Sequence, residues 1–249
     1  MAEKPTRVHI LGCGDAFGSG GRNNSGYLVE AGDRLFLLDC GPTTLLAMKR
    51  AGFNPRRLDA IFLSHLHGDH CAGVPFFLLD EIYENPRDRP LQVAGPPGTE
   101  ERVNDLFHLM FGDASDPKKL LSTQFHVLEP ERQRTIEDIQ VFPFRVPHQV
   151  REISLGLKVT YQGRQILYSG DSAWTDLFIT HAHGVDLFIC ECCFFNRDTP
   201  NHMNYQRIQE NLSRLKCKKL ILTHMGEEML ARREEISVKL AEDGMVIEI

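Results

Sequence analysis

Four apolar runs in this chain each stop at an ionisable residue: "RLFLLD" at Asp39, "AIFLSH" at His65, "QILYSGD" at Asp171 and "KLILTH" at His224. Short runs that are apolar without alternation suit strands covered on both faces. Such strands need helices to cover them, and helical stretches lie between the runs. "TTLLAMKRAG" opens on hydroxyls and closes on glycine. "GTEERVNDLFHLMFG" carries acids near its start, where a helix N-terminus favours them. "NYQRIQENLSRLKC" sets Ile208, Leu212 and Leu215 on one stripe. "IQVFPFRVPH" and "SLGLKVTYQGRQILYSGD" read as successive strands, the second stretch turning at "YQGRQ". The predicted class is α/β, a layered fold with ionisable side chains delivered to strand ends. "IFLSH" and "LILTH" share one pattern, a faint echo that suggests two related halves.

The chain has 249 residues, and its Pro and Gly clusters, "NPRDRP" and "AGPPG", read as loops inside one domain spanning residues 1–249. No segment approaches the roughly 18 consecutive apolar residues of a membrane span. The start, "MAEKPTRVHIL", lacks the apolar region of a signal peptide and fits a first strand better. The seven cysteines are scattered and odd in number, which suggests reduced thiols and a cytoplasmic location. "CECC" (190–193) has no matching second pair, so Cys190, Cys192 and Cys193, like Cys40, read as buried structural thiols rather than a zinc knuckle. The net charge of −6, with both signs interspersed, argues against a broad nucleic-acid footprint.

The glycine-rich "ILGCGDAFGSGG" is not a dinucleotide fingerprint. Its spacing is G-x-G-x-x-x-G, and the following "NNSGYLVEAGDRLFLLD" reads as strand where that fingerprint needs a helix. "SHLHGDH" (64–70) carries more chemistry, with three histidines and an aspartate directly after a buried strand. Imidazole nitrogen and carboxylate oxygen are donors for a divalent ion such as zinc. A loop at a strand end lets His65 and His67 reach one ion together. Asp69 and His70, past a turn at Gly68, point to a second, with Gly68 expected to ease the bend.

H-x-H-x-D-H, as His65, His67, Asp69 and His70, resembles the signature of the metallo-β-lactamase superfamily. The likeness continues in order through His148 in "RVPHQV", Asp171 in "YSGDS" and His224 in "LILTHMG", with Asp39 in "LLDCG" similar to the first motif aspartate. It runs from Leu11 to Gly226. Taken alone, His148 and His224 would be ordinary histidines; their place in the ordered set makes them candidates. The resemblance implies a four-layered αβ/βα sandwich of mixed sheets with helices outside. It implies two divalent metal ions: His65, His67 and His148 on the first, Asp69, His70 and His224 on the second, and Asp171 bridging both. Asp39 would sit behind the ligands, orienting one of them or its loop. Zinc is the expected ion, with manganese or iron binding similar sets. Asp69 is counted with the catalytic residues. His9, His108, His126, His181 and His183 match no motif position.

Two ions bridged by a carboxylate share an activated hydroxide and suit in-line displacement at phosphorus. Three stretches resemble the tRNase Z and phosphodiesterase branch. They are the block "LGCGDAFGSGGRNNSGYLVEAGDRLFLLDCG", the Gly-Pro segment "VAGPPGTEERV", and "DLFICECCF" followed by "NHMN". In the last, Glu191 and His202 match a glutamate–histidine pair; His202, kept protonated by Glu191, would serve a leaving alkoxide. This chain departs from tRNase Z at Met203 and Asn204, where small hydroxyl residues are usual. Between Gly98 and His148 it shows only acidic and mixed sequence, "FGDASDPKK" and "LEPERQRTIED", where a basic, glycine-rich arm would grip tRNA. The expectation is a dinuclear-metal phosphodiesterase acting on a small or cyclic phosphodiester. The alternatives are a tRNase Z-like RNA 3′-end endonuclease and a lactone or thioester hydrolase. A homodimer is expected by analogy.

Overall fold

The computed structural model describes residues 5–112 and 123–249. The greater part of "FGDASDPKK" therefore lies outside the described residues, as do the first four residues of the chain. The first half of the chain runs β1 (Arg7–Gly12), β2 (Gly26–Ala31), β3 (Arg34–Leu38), α1 (Thr44–Arg50), β4 (Ala60–Phe62), α2 (Gly68–Cys71), α3 (Val74–Tyr83), β5 (Leu91–Gly95), α4 (Thr99–Phe111) and β6 (Thr123–Val127). The second half runs β7 (Arg134–Ile136), β8 (Ile139–Arg145), β9 (Leu155–Tyr161), β10 (Arg164–Tyr168), α5 (Leu177–Ala182), β11 (Leu187–Glu191), α6 (Tyr205–Asn211), β12 (Leu220–Thr223), α7 (Glu227–Ala231) and β13 (Lys239–Leu240). A last strand, β14 (Val246–Glu248), returns to pair antiparallel with β1.

Two mixed sheets result, ordered β14-β1-β2-β3-β4-β5-β6 and β13-β12-β11-β10-β9-β8-β7. In the first, β1, β2 and β3 form an antiparallel meander, and β3 to β6 then run parallel. The second repeats the plan: β8, β9 and β10 meander, and β10 to β13 run parallel. The hairpin between β9 and β10 turns on Gln162 and Gly163, both at positive φ (46° and 76°), which matches the twist of the flanking strands.

The unbroken apolar runs follow from this layering. Along β3, Phe36 and Leu38 face the opposite sheet, while Leu35 and Leu37 face helices. Between the sheets Val8, Tyr27 and Phe36 meet Val141, Leu157 and Ile189. Outside the first sheet Met48, Phe77, Val103 and Phe107 of α1, α3 and α4 cover Ile61 and Val93. Outside the second, Phe178, Ile208 and Met229 of α5, α6 and α7 cover Leu167, Phe188 and Leu222. Each fully buried large side chain contributes ~1.5–3 kcal/mol by leaving water. The order is helices, sheet, sheet, helices: the four-layered α/β sandwich that the motifs imply.

Two expectations need correction. The echo of "IFLSH" and "LILTH" does not mark equivalent strands. The shared sheet plan aligns β4 with β11 and β5 with β12, whereas the echo pairs β4 with β12. Both are short parallel strands buried on both faces, and that common environment is enough to produce similar letters. The helix read over "NYQRIQENLSRLKC" ends at Asn211; Ile208 and Leu215 are buried but Leu212 is only half-buried, in a turn. Among the described residues no helix is long and apolar enough to cross a membrane.

Candidate metal centre

Strands β3, β4, β10 and β12 end at one edge of the sandwich, each a few residues from an ionisable side chain. Asp39 follows β3 directly, and His224 follows β12. Both have φ of 56°, a left-handed backbone that non-glycine residues seldom adopt. His65 follows β4 by way of Ser64, whose carbonyl accepts from Leu155 N–H and so ties the loop to the second sheet. The chain turns at His67, which stands at the N-terminus of α2. Gly68 opens that helix without a positive φ, and a side chain there would meet only Ala72 Cβ at 3.9 Å. The bend is thus a helix start rather than a use of glycine's freedom, and α2 carries Asp69 and His70, the His70 ring lying 4.2 Å from that of His65.

The seven side chains named from the motifs converge in two overlapping groups. In one, His67 Nδ1 lies 3.1 Å from His148 Nε2, and Asp171 Oδ2 is 3.9 Å from both His65 Nε2 and His148 Nε2. In the other, Asp69 Oδ2 lies 3.2 Å from both His70 Nε2 and His224 Nε2, which are themselves 3.4 Å apart. Asp171 belongs to both, with Oδ1 3.2 Å from His70 Nε2 and Oδ2 3.4 Å from His224 Nε2. Bonds of 2.0–2.1 Å to a tetrahedral zinc hold donors roughly 3.3 Å apart, so these spacings fit ions of that size. His65 Nε2 is buried yet hydrogen-bonds to nothing, as expected of an atom whose lone pair serves an ion.

Hydrogen bonds behind the donors fix their tautomers. His65 Nδ1–H donates to Ser64 Oγ at 3.0 Å, His70 Nδ1–H to Asp39 Oδ2 at 2.7 Å and His148 Nδ1–H to the Asn201 carbonyl at 2.6 Å. Each Nε2 is left facing inward. Asp39 is fully buried. It also accepts from Ser64 N–H and Oγ–H (both 2.7 Å) and from Tyr168 O–H (2.6 Å), so it orients a donor as the sequence suggested.

Burial lowers the pKa of His65 and His67 and brings His148 down to about 4, keeping these imidazoles neutral and able to bind an ion. Burial also works against charge on His70 and His224, but Asp171 and its neighbouring carboxylates outweigh it and raise both. Asp171 resists ionisation through burial, yet the surrounding histidines, His224 foremost, hold it well below the usual carboxylate range. A cluster this rich in opposed charge suits displacement of histidine protons by cations.

Beside the donors, His202 Nδ1–H donates to Glu191 Oε1 at 2.6 Å. The His202 ring stacks 5.8 Å from His224 and stands edge-on 4.9 Å from His148. Glu191 is buried and accepts also from Ser172 N–H (3.0 Å) and Met203 N–H (2.7 Å). Burial raises the pKa of Glu191; the hydrogen bond and charge of His202 work against that rise, as do the two backbone donors, and favour the carboxylate. Burial alone would lower the pKa of His202; the Glu191 carboxylate outweighs it and raises it.

Tyr168 and Ser64 carry no functional signal in the sequence, and Cys193 reads there only as a buried structural thiol. Cys193 lies within 4.8 Å of donor atoms on His202 and His224. All seven cysteines are free thiols; six are buried, including Cys40, Cys190, Cys192 and Cys193. Of the histidines outside the motifs, His9 meets Glu30, His126 meets Gln92 and His181 stacks on Phe144. None of these, nor His108 or His183, joins a donor group among the described residues.

Comparison with known proteins fits this geometry. The family model described as anti-Pycsar protein Apyc1 matches residues 6–247. A probable metallo-hydrolase of Bacillus subtilis, YhfI, is 27% identical over 229 residues, covering 88% of this chain and 86% of its own. Its crystal structure, of a metallo-β-lactamase fold protein, superposes with a TM-score of 0.78 over 98% of this chain and all of that one. Ribonuclease Z of Enterococcus faecalis is 24% identical, with 97% of each chain covered. That alignment runs over 304 positions against the 249 residues here, so the ribonuclease carries insertions that this chain lacks. A diphosphatase of the PhnP family, 19% identical, shares the fold with a TM-score of 0.78 over 98% of both chains. The fold is that of the metallo-β-lactamases, and the relatives include a probable metallo-hydrolase and ribonuclease Z.

Proposed function

The chain belongs to the Apyc1 family, and from that premise we propose that it is a phosphodiesterase cleaving a small or cyclic phosphodiester, with cyclic nucleotides foremost. His65, His67 and His148 would hold one divalent ion and Asp69, His70 and His224 a second, with Asp171 shared. Zinc suits the donors, and manganese or iron would bind similar sets. When bound, such ions supply Lewis acidity at a phosphoryl oxygen and a water of lowered pKa.

The observation that carries the reading is the Glu191–His202 pair at the edge of the donor cluster. Bond cleavage at phosphorus expels an alkoxide, a poor leaving group that benefits from a proton. Glu191 holds Nδ1 of His202 and favours the imidazolium, so Nε2–H is the proton to give. His148 and His224 flank the ring and keep it turned toward the donors. Asp39 keeps His70 aimed, and Ser64 keeps His65 aimed.

The test is a substrate panel with zinc- and manganese-loaded protein: bis(4-nitrophenyl) phosphate, 3′,5′-cyclic nucleotides, a lactone, a thioester and precursor tRNA. Turnover of the first two, lost with a chelator and in Asp171→Ala, is the expected result; cleavage of the lactone or thioester alone would reject the reading. Ribonuclease Z relatives favour a second reading, RNA 3′-end cleavage. It requires precursor cleavage that weakens steeply with salt. The sequence lacks a basic arm, and the net charge is −6, which weigh against it.

A further inference from the structure

The loop between β11 and α6 carries His202, and it carries a second feature that the chemistry at phosphorus does not use. Phe194 is pinned on both sides: its N–H donates to the Met203 carbonyl at 3.2 Å, and its carbonyl accepts from Tyr205 N–H at 2.9 Å. Its ring stands edge-on to His202, with centroids 6.2 Å apart. The guanidinium of Arg197 lies over the Phe194 ring, 4.6 Å from its centroid. Arg197 is exposed and makes no ion pair among the described residues. The carboxylate next to it, Asp198, is turned away: it accepts from Asn204 Nδ2 at 2.8 Å and lies 3.6 Å from Arg207. The same Asn204 Nδ2 donates to the Arg197 carbonyl at 3.2 Å, while Asn204 Oδ1 accepts from Arg207 N–H at the start of α6. Asn204 is buried. One of the two residues that depart from the tRNase Z pattern is thus what fixes the backbone of Arg197.

Arg232 shows the contrast. Its guanidinium also lies over an aromatic ring, Phe195, but two hydrogen bonds to Glu235 neutralise it. Arg197 keeps its charge and one planar face for something else. Two ring contacts, Arg197 to Phe194 and Phe194 to His202, lead from the guanidinium to the residue that serves the leaving group. Phosphorus itself is served by the donor cluster and His202, so it needs no further cation. A guanidinium backed by an aromatic ring presents a flat, weakly hydrated cation, which suits stacking on another flat π-system.

We propose that Arg197, backed by Phe194, is a specificity residue that stacks on the heteroaromatic base of a nucleotide substrate or product. The inference rests on the phosphodiesterase reading for where phosphorus sits. It is tested by binding, so it stands or falls separately from turnover. The probes are adenosine 5′-monophosphate, which has the base, and ribose 5-phosphate, which has the same phosphate without it. Calorimetric titration of zinc-loaded protein should show Arg197→Ala weakening the first about tenfold, the size of one such contact, with little effect on the second. Arg197→Lys should behave like the alanine variant, because it keeps the charge and loses the plane. Equal weakening of both probes, full rescue by lysine, or no change for either would overturn the proposal. Arg197 is exposed, so both variants are expected to fold, with unchanged zinc content as the check. The comparison decides its role even where no phosphodiester is turned over.

Discussion

His202 is the side chain whose contribution should change most with pH. Burial disfavours its charge, and Glu191 more than compensates, so its pKa is raised. A group that must give a proton acts below its pKa and fails above it. Turnover is therefore expected to hold up to the raised value and fall as pH rises through it. Glu191→Gln removes the anion that raises the pKa, so the pKa falls and the alkaline limb of kcat/KM should move to lower pH. A limb that stays in place would show that another group sets it. His202→Ala should slow turnover by about 10²-fold or more with unchanged metal content; loss of metal would instead mean that His202 is a ligand. Tyr168 acts through Asp39. Tyr168→Phe removes a buried hydrogen bond to a carboxylate and should cost ~1.5–3 kcal/mol in chemical denaturation. The clustering of these seven side chains was legible from sequence because six consecutive positions and three later motifs carry them in order. Tyr168 was not: in "QILYSGD" it is one more buried strand residue. Its hydroxyl finds Asp39 only because β10 of one sheet ends against the loop after β3 of the other.

Among the elements, α3 begins hard against the loop that carries Asp39. Gly73, immediately before it, brings its Cα against the loop after β3: an added Cβ would stand 2.1 Å from the Gly41 carbonyl oxygen and 2.6 Å from that of Cys40. Its φ of −78° is open to any residue, so contact and not conformation demands glycine. Gly73→Ala is expected to cost ~1–3 kcal/mol through overpacking, read as a lower Tm, and to disturb Asp39 two residues before Gly41. An unchanged Tm would mean that the loop yields freely. Helix and strand types were readable from apolar runs and caps, and the β9–β10 turn from "QG". Element limits were less so. The stripe through Leu212 continues a helical spacing, but the chain leaves the helix at Asn211, which its letters do not mark. The likeness of β4 to β12 misled for a related reason: letters report burial on both faces, not position in a sheet.

For the whole molecule, the donors draw on both sheets, so ions should bind the folded chain and not the unfolded one. Zinc at a hundred times its Kd is then expected to add about 2.7 kcal/mol, a rise of roughly 5–11 °C in Tm for a chain of this size. A chelator should reverse it, and Asp171→Ala should abolish most of the rise, since that carboxylate is shared by both groups. A Tm indifferent to zinc would separate the fold from its ions. The two-sheet plan also sets an order in time. During synthesis the chain delivers His65, His67, Asp69 and His70 early, then His148 and Asp171, and His224 only after β12 has been made. One donor group can thus assemble on a growing chain while the other waits for the last parallel strands. A ribosome stalled before residue 224 would expose a nascent protein able to take up a single cation, and release from the stall would complete the pair.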